Sequence, residues 1–179
     1  MTVANPLADL IAEKGNLLAD GATGTNLFAA GLEAGEAPEL WNEAQPEKIT
    51  ALHQGFVDAG ADIILTNSFG GTRHRLKLHH AQDRVFEINK AAAELARGVA
   101  DKADRKVIVA GSVGPTGELL VPLGALTEDE AVAAFTEQLE GLKAGGVDVA
   151  WIETMSAPGE IRAAAEAAAK AIDPLVDHQ

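Results

Sequence analysis

Leu17-Leu18-Ala19-Asp20-Gly21-Ala22-Thr23-Gly24-Thr25 decides how the rest of the chain is read. Three apolar residues fit a short buried strand, and the Asp-Gly-x-x-Gly that follows turns the chain while leaving backbone N–H groups uncovered. The carboxylate of Asp20 then stands at the strand's exit. Three later runs end the same way. Ile63-Ile64-Leu65 passes into Thr66-Asn67, Val107-Ile108-Val109 into Gly111-Ser112, and Val149-Ala150-Trp151-Ile152 into Glu153-Thr154. Polar chemistry therefore gathers at the C-terminal ends of predicted strands.

Helical patterns fill the spaces between these runs. Residues 5–14 read as a short helix with Asn5 as cap, Pro6 in its first turn and Gly15 as stop. From residue 25 to 45 the sequence is loop-like, with a helical turn expected at 26–30. Ile49, Leu52, Phe56 and Val57 then follow helical spacing up to Gly60, ahead of a strand at 62–67. A helix over 83–101 leads to a strand at 106–110 and the loop 111–118. Thr127 and Glu130 form a capping box for a helix that Gly145-Gly146 ends, and a strand at 147–152 precedes a helix from Pro158 to about residue 171. No strand is expected at 173–179.

Strand starts near 17, 62, 106 and 147 repeat at roughly 40 to 45 residues, and Ala59-Gly60-Ala61-Asp62 echoes Gly145-Gly146-Val147-Asp148. Alternating strands and helices at this period imply a parallel sheet of α/β class. The Gly-x-Gly-x-x-Gly turn of a dinucleotide fold is missing, which favours a TIM-type (β/α)8 barrel. A full barrel takes eight units and about 250 residues, whereas about four βα units fit in these 179 residues. The expectation is one truncated barrel domain over 1–179, without its second half.

Composition narrows the partners. Fourteen basic against 27 acidic residues give a net charge of −13, which argues against nucleic acid and anionic membranes. No apolar run approaches the roughly 20 residues of a membrane span and no signal-peptide pattern opens the chain, so a cytoplasmic location is expected. There is no cysteine, which removes thiolate as nucleophile or metal ligand. His74, His79 and His80 lie in a basic island at 72–80, but their spacing matches no familiar zinc site and reads better as a solvated face.

Four motifs, one per predicted strand, together carry a family resemblance: Leu18-Ala19-Asp20-Gly21-Ala22-Thr23-Gly24-Thr25, Ala61-Asp62-Ile63-Ile64-Leu65-Thr66-Asn67-Ser68-Phe69, Ala110-Gly111-Ser112-Val113-Gly114-Pro115-Thr116-Gly117 and Trp151-Ile152-Glu153-Thr154-Met155. The chain resembles the N-terminal half of the homocysteine S-methyltransferase family, most closely its bacterial betaine-homocysteine branch. The resemblance implies a zinc-dependent barrel in which the metal holds homocysteine's sulfur as a thiolate that attacks a methyl donor such as betaine. It also implies that the zinc ligands are three cysteines of the second half. With no cysteine here, no metal ligand and no catalytic residue is assigned, and the chain alone is expected to be inactive.

The resemblance assigns Asp20 and Glu153 to homocysteine's ammonium group; an Asx turn and a helix cap are their structural alternatives. Gly21, Thr23 and Gly24 offer backbone N–H groups for the substrate carboxylate, although a plain tight turn explains them too. Thr66 and Asn67 either contact substrate or tie down their loop, and Ser112, Gly114 and Thr116 stand in the same position. Trp41 either closes over the site, where its indole face would attract a quaternary ammonium by about 0.5 to 2 kcal/mol, or anchors its loop. Trp151 reads as core. A phosphorylated ligand is disfavoured by the absence of converging Lys or Arg. The alternative to a methyltransferase half is a non-catalytic half barrel that self-associates or pairs with a complementary, zinc-bearing half, because parallel strands with open edges need cover.

Overall fold

The computed structural model describes residues 5–172, so the expectation for 173–179 lies outside the described residues. Asn5 caps helix α1 (Pro6–Lys14) by accepting from Ala8 N, and Gly15 ends it in a left-handed conformation. The predicted strand at 17–19 shrinks to a single parallel bridge, Ala19 with Ile63. Leu18 is 57% exposed, and the turn at Gly21 leaves too little chain for a ladder. Helix α2 (Thr23–Ala29) starts earlier and runs longer than the expected turn. A 3₁₀ turn at Pro38–Leu40 and helix α3 (Trp41–Ala44) occupy the stretch read as loop.

Helix α4 (Pro46–Asp58) leads to strand β1 (Ile63–Leu65). Short helix α5 (Arg73–Leu76) and a 3₁₀ turn at Lys77–His79 carry the basic island. Helix α6 (Val85–Ala100) precedes strand β2 (Ile108–Val113). Beyond it come helix α7 (Glu128–Ala144), with the expected Thr127–Glu130 capping box, strand β3 (Val149–Ile152) and helix α8 (Pro158–Ala171). Strand β2 runs three residues past the expected 106–110, through Gly111 and Ser112. It is the central strand, and partners on both sides outweigh the poor strand propensity of those residues.

The sheet is parallel throughout, in the order β1-β2-β3. Ile63, Ile64 and Leu65 register with Ile108, Val109 and Ala110, and Ala110 to Val113 register with Val149 to Ile152. Alternation along the strands divides the core. Ile64 and Val109 pack on Val57 of α4 and on Ala96 and Val99 of α6, while Val113 packs on Phe135 and Leu139 of α7 and Ala164 of α8. On the opposite face Ile63, Ile108 and Ala110 meet Leu10 of α1. Long helices cover one face and α1 closes the other near the strand starts, as in a sector of a (β/α) barrel. No described helix is long and apolar enough to cross a membrane.

Candidate ligand site at the strand ends

A cavity of about 420 Å³ opens where the strands end, a size suited to a small metabolite. Asp20, Gly21, Thr23, Gly24, Thr66, Asn67 and Glu153 all reach its wall. With Ser112, which also lines it, four separate chain segments deliver polar groups read from the sequence to one place.

Asp20 accepts Leu65 N–H at 2.8 Å, which ties the first turn to the end of β1. Burial, reinforced by the nearby Glu153 charge and opposed by that hydrogen bond, pushes the Asp20 carboxyl up to about 6. Glu153 is aimed by Ser112, whose Oγ donates to Glu153 Oε1 at 2.6 Å. The next residue, Thr154, holds a left-handed φ of 59°, a conformation costly for a branched side chain. Neither Asp20 nor Glu153 has a cationic partner among the described residues.

The floor is a closed polar network. Thr66 Oγ1 accepts Ser112 N–H at 3.0 Å and lies 2.6 Å from Ser68 Oγ, which donates to Ser112 O at 2.8 Å. Asn67 Nδ2 donates to Pro38 O at 2.8 Å and to Asn42 Oδ1 at 3.0 Å, so it pins the long first loop to β1. These amide and hydroxyl groups brace the cavity while facing it. Gly114 is required for close approach, since a Cβ there would fall 2.6 Å from the Phe69 ring. Thr116 turns away from the cavity and is held by Glu160, which accepts its N–H at 2.8 Å and its hydroxyl at 2.6 Å.

Trp41 is not brought to the cavity. It is 7% exposed and packs with Leu27, Leu32 and Ile49, and the Lys48 ammonium sits 4.4 Å from its ring centroid. The indole thus anchors its loop, and a cation of the protein already occupies the ring face. Trp151 packs with the core, as expected. The His74, His79 and His80 group was expected on a solvated face; of these His79 is half-buried and joins the cavity wall, as does the exposed Arg75, together with Glu36, Glu39, Ser68 and Phe69. Glu39 is readable only in three dimensions: it is buried and accepts Gly70 N–H at 2.6 Å across the cavity rim.

A parallel α/β sector with its polar cavity at the C-terminal strand ends is the site layout of a barrel enzyme acting on a small metabolite. The chain belongs to the homocysteine S-methyltransferase family, whose sequence model matches residues 17–176. It is 33% identical over 167 residues to methionine synthase of Mycobacterium tuberculosis, covering 88% of this chain and 14% of that protein. Methionine synthase of Mycobacterium leprae is likewise 33% identical, over 159 residues, with 83% of this chain and 13% of that protein covered. Among solved structures, the metallated form of the homocysteine methyltransferase MmuM from Escherichia coli superposes with a TM-score of 0.76 at 29% identity. That likeness covers 91% of this chain and 62% of MmuM; the apo form gives 0.67 at 25% identity, covering 91% and 58%. The chain thus spans about one seventh of these curated relatives.

The zinc implied by the family does not fit the donors present. The sequence has no cysteine, and no group of three or more His, Cys, Asp or Glu among the described residues is arranged to hold a metal ion. His74, His79 and His80 do not converge on one.

Proposed function

We propose that the cavity binds homocysteine by its amino-acid end, with the ammonium group between Asp20 and Glu153, and so presents the thiol for methylation to methionine. The observation that carries this reading is the carboxylate pair: two acids from different strand ends share one cavity, and neither has a cationic partner among the described residues. A cationic ligand relieves their mutual repulsion and replaces the water lost on burial. Ser112 orients one acid and Leu65 N–H the other, so the pair is set before the ligand arrives.

The chain's share of the reaction is binding and orientation. Activation of the thiol needs groups that this cysteine-free sequence does not supply, and no step is assigned to a metal here. Betaine is proposed as donor on the motif resemblance alone, because Trp41, the residue offered for its quaternary ammonium, is buried against Lys48. Isothermal titration with homocysteine tests the reading. Asp20→Asn and Glu153→Gln should each weaken binding by about tenfold or more, the size of a charge-assisted hydrogen bond. Wild-type affinity in both variants would remove the assignment.

A further inference from the structure

Gln138 lies on α7, in the same helix as the core residues Phe135, Leu139 and Leu142, and it is fully buried without lining the cavity. Its Nε2 donates to Ser68 O at 2.7 Å and approaches Ser112 O at 3.4 Å. Both carbonyls have another donor: Gly71 N–H at 2.9 Å for Ser68 O, and Ser68 Oγ at 2.8 Å for Ser112 O. Gly71 makes room for the amide, since a Cβ there would fall 2.8 Å from Gln138 Nε2. The opposite end of the amide, Oε1, is buried with no partner among the described residues. Leaving a buried polar atom unpaired costs at least as much as one net hydrogen bond returns, and an apolar side chain would escape that cost. Stability therefore does not account for a glutamine at this position.

What the amide reaches is the support of Glu153. Gln138 holds Ser68 O, Ser68 Oγ donates to Ser112 O, and Ser112 Oγ donates to Glu153 Oε1 at 2.6 Å, a line of three hydrogen bonds from helix α7 to one cavity carboxylate. The other carboxylate oxygen, Oε2, meets only Thr154 Oγ1 among the described residues, at 3.5 Å, so the serine sets the direction of Glu153. We infer that Gln138 is a positioning residue for Glu153: it fixes the main chain at Ser68 and Ser112, and so holds the hydroxyl that aims the carboxylate into the cavity. The inference rests on the homocysteine reading, in which Glu153 meets the ammonium group, and adds to it a residue outside the cavity wall. A binding group held to a fraction of an ångström needs such outer support, and a buried polar network supplies it.

Calorimetric titration with homocysteine, paired with urea denaturation, tests this on the full chain. Gln138→Met keeps an unbranched side chain and removes the donor together with the unpaired carbonyl. It should weaken homocysteine binding by about threefold or more and unfold at the same urea concentration as wild type or a higher one. In a Ser112→Ala background, where the hydroxyl that links the amide to Glu153 is gone, the same substitution should cost no further affinity. Glu153→Gln is the control for the reading beneath. Wild-type affinity in Gln138→Met, with a loss in Glu153→Gln, overturns the positioning role and keeps the homocysteine reading. An equal loss from Gln138→Met with and without the Ser112 hydroxyl shows that the amide acts by another route, and overturns the role too. A Gln138→Met protein that is less stable than wild type, or fails to fold, makes the amide part of the framework and has the same consequence. A wild-type chain that binds no homocysteine, or whose affinity is untouched by Glu153→Gln, removes the reading itself and the inference with it.

Discussion

The two ends of the sheet use the same side chains for opposite purposes. At the strand starts, Asp62 is 8% exposed, accepts Leu18 N–H at 3.0 Å and Lys14 Nζ at 2.6 Å, and lies 3.7 Å from Arg105. The Leu18 hydrogen bond, then Lys14, holds its carboxyl below the usual carboxylate range. Asp148 repeats the device two strand pairs further on, between β2 and β3, accepting Val109 N–H at 2.8 Å and Arg97 Nη1 at 2.9 Å. Each aspartate fixes the register of the preceding strand, and a cation compensates its charge. At the strand ends, Asp20 has one backbone donor, no cationic partner among the described residues and a neighbouring carboxylate, and burial raises its carboxyl to about 6. One edge has its electrostatics satisfied internally and holds the sheet together; the other is left unsatisfied for a ligand.

The contrast breaks most visibly at Asp62. Asp62→Ala removes the charged acceptor of Leu18 N–H and the partner of the exposed Lys14, and the loss of hydrogen bonds to a charged group costs about 1.5 to 3 kcal/mol. Urea denaturation should show that drop, with a smaller one for the more exposed Asp148→Ala. Equal stability of Asp62→Ala and wild type would mean that the strand starts do not hold the sheet.

His53 sharpens the comparison because its titration runs against that of Asp20. It lies inside α4, is 1% exposed, and neither ring nitrogen has a hydrogen-bond partner; burial pushes it down to about 4. The folded state therefore favours the neutral ring. Between the unfolded value of 6.5 and about 4 the unfolded chain binds the extra proton, so stability falls as pH falls. The loss should be roughly 2 kcal/mol by about pH 5. His53→Leu should remove that slope in pH-dependent thermal melts; a slope unchanged in the variant would place its origin elsewhere.

How far the sequence reached depends on the range of the interaction that sets each feature. Caps and stops at Asn5, Gly15 and the Thr127–Glu130 box are local, and they stand where the residues put them. The four polar strand ends were legible because a parallel βα repeat sends every strand's exit to the same side. The Asp62 and Asp148 echo was visible too, but not its purpose, which depends on pairing with Leu18 and Val109 in neighbouring strands. Trp41 sits in a helix of four residues, too short for a periodicity to reveal its inward face. The same holds for α5, where only the fold shows Arg73 turning out to Glu137 and Arg75 turning to the cavity.

The smallest expected effect tests the ligand edge directly. Burial pushes the Asp20 carboxyl from its ordinary value of 3.8 up to about 6, so the folded state holds that proton more tightly than the unfolded chain does. Its stabilising contribution is full below pH 3.8 and is lost as pH rises through about 6, opposite in sign to His53. Asp20→Asn abolishes the charge, and at about pH 8 it should make the protein more stable while weakening ligand binding. Partial solvent exposure screens the cost, so the gain should stay below about 1 kcal/mol. Chemical denaturation of the two proteins at about pH 8 and pH 4 measures it, and the difference should vanish at the lower pH. An Asp20→Asn protein less stable than wild type at the higher pH would show that Asp20, like Asp62, belongs to the framework and not to a site kept charged for its ligand.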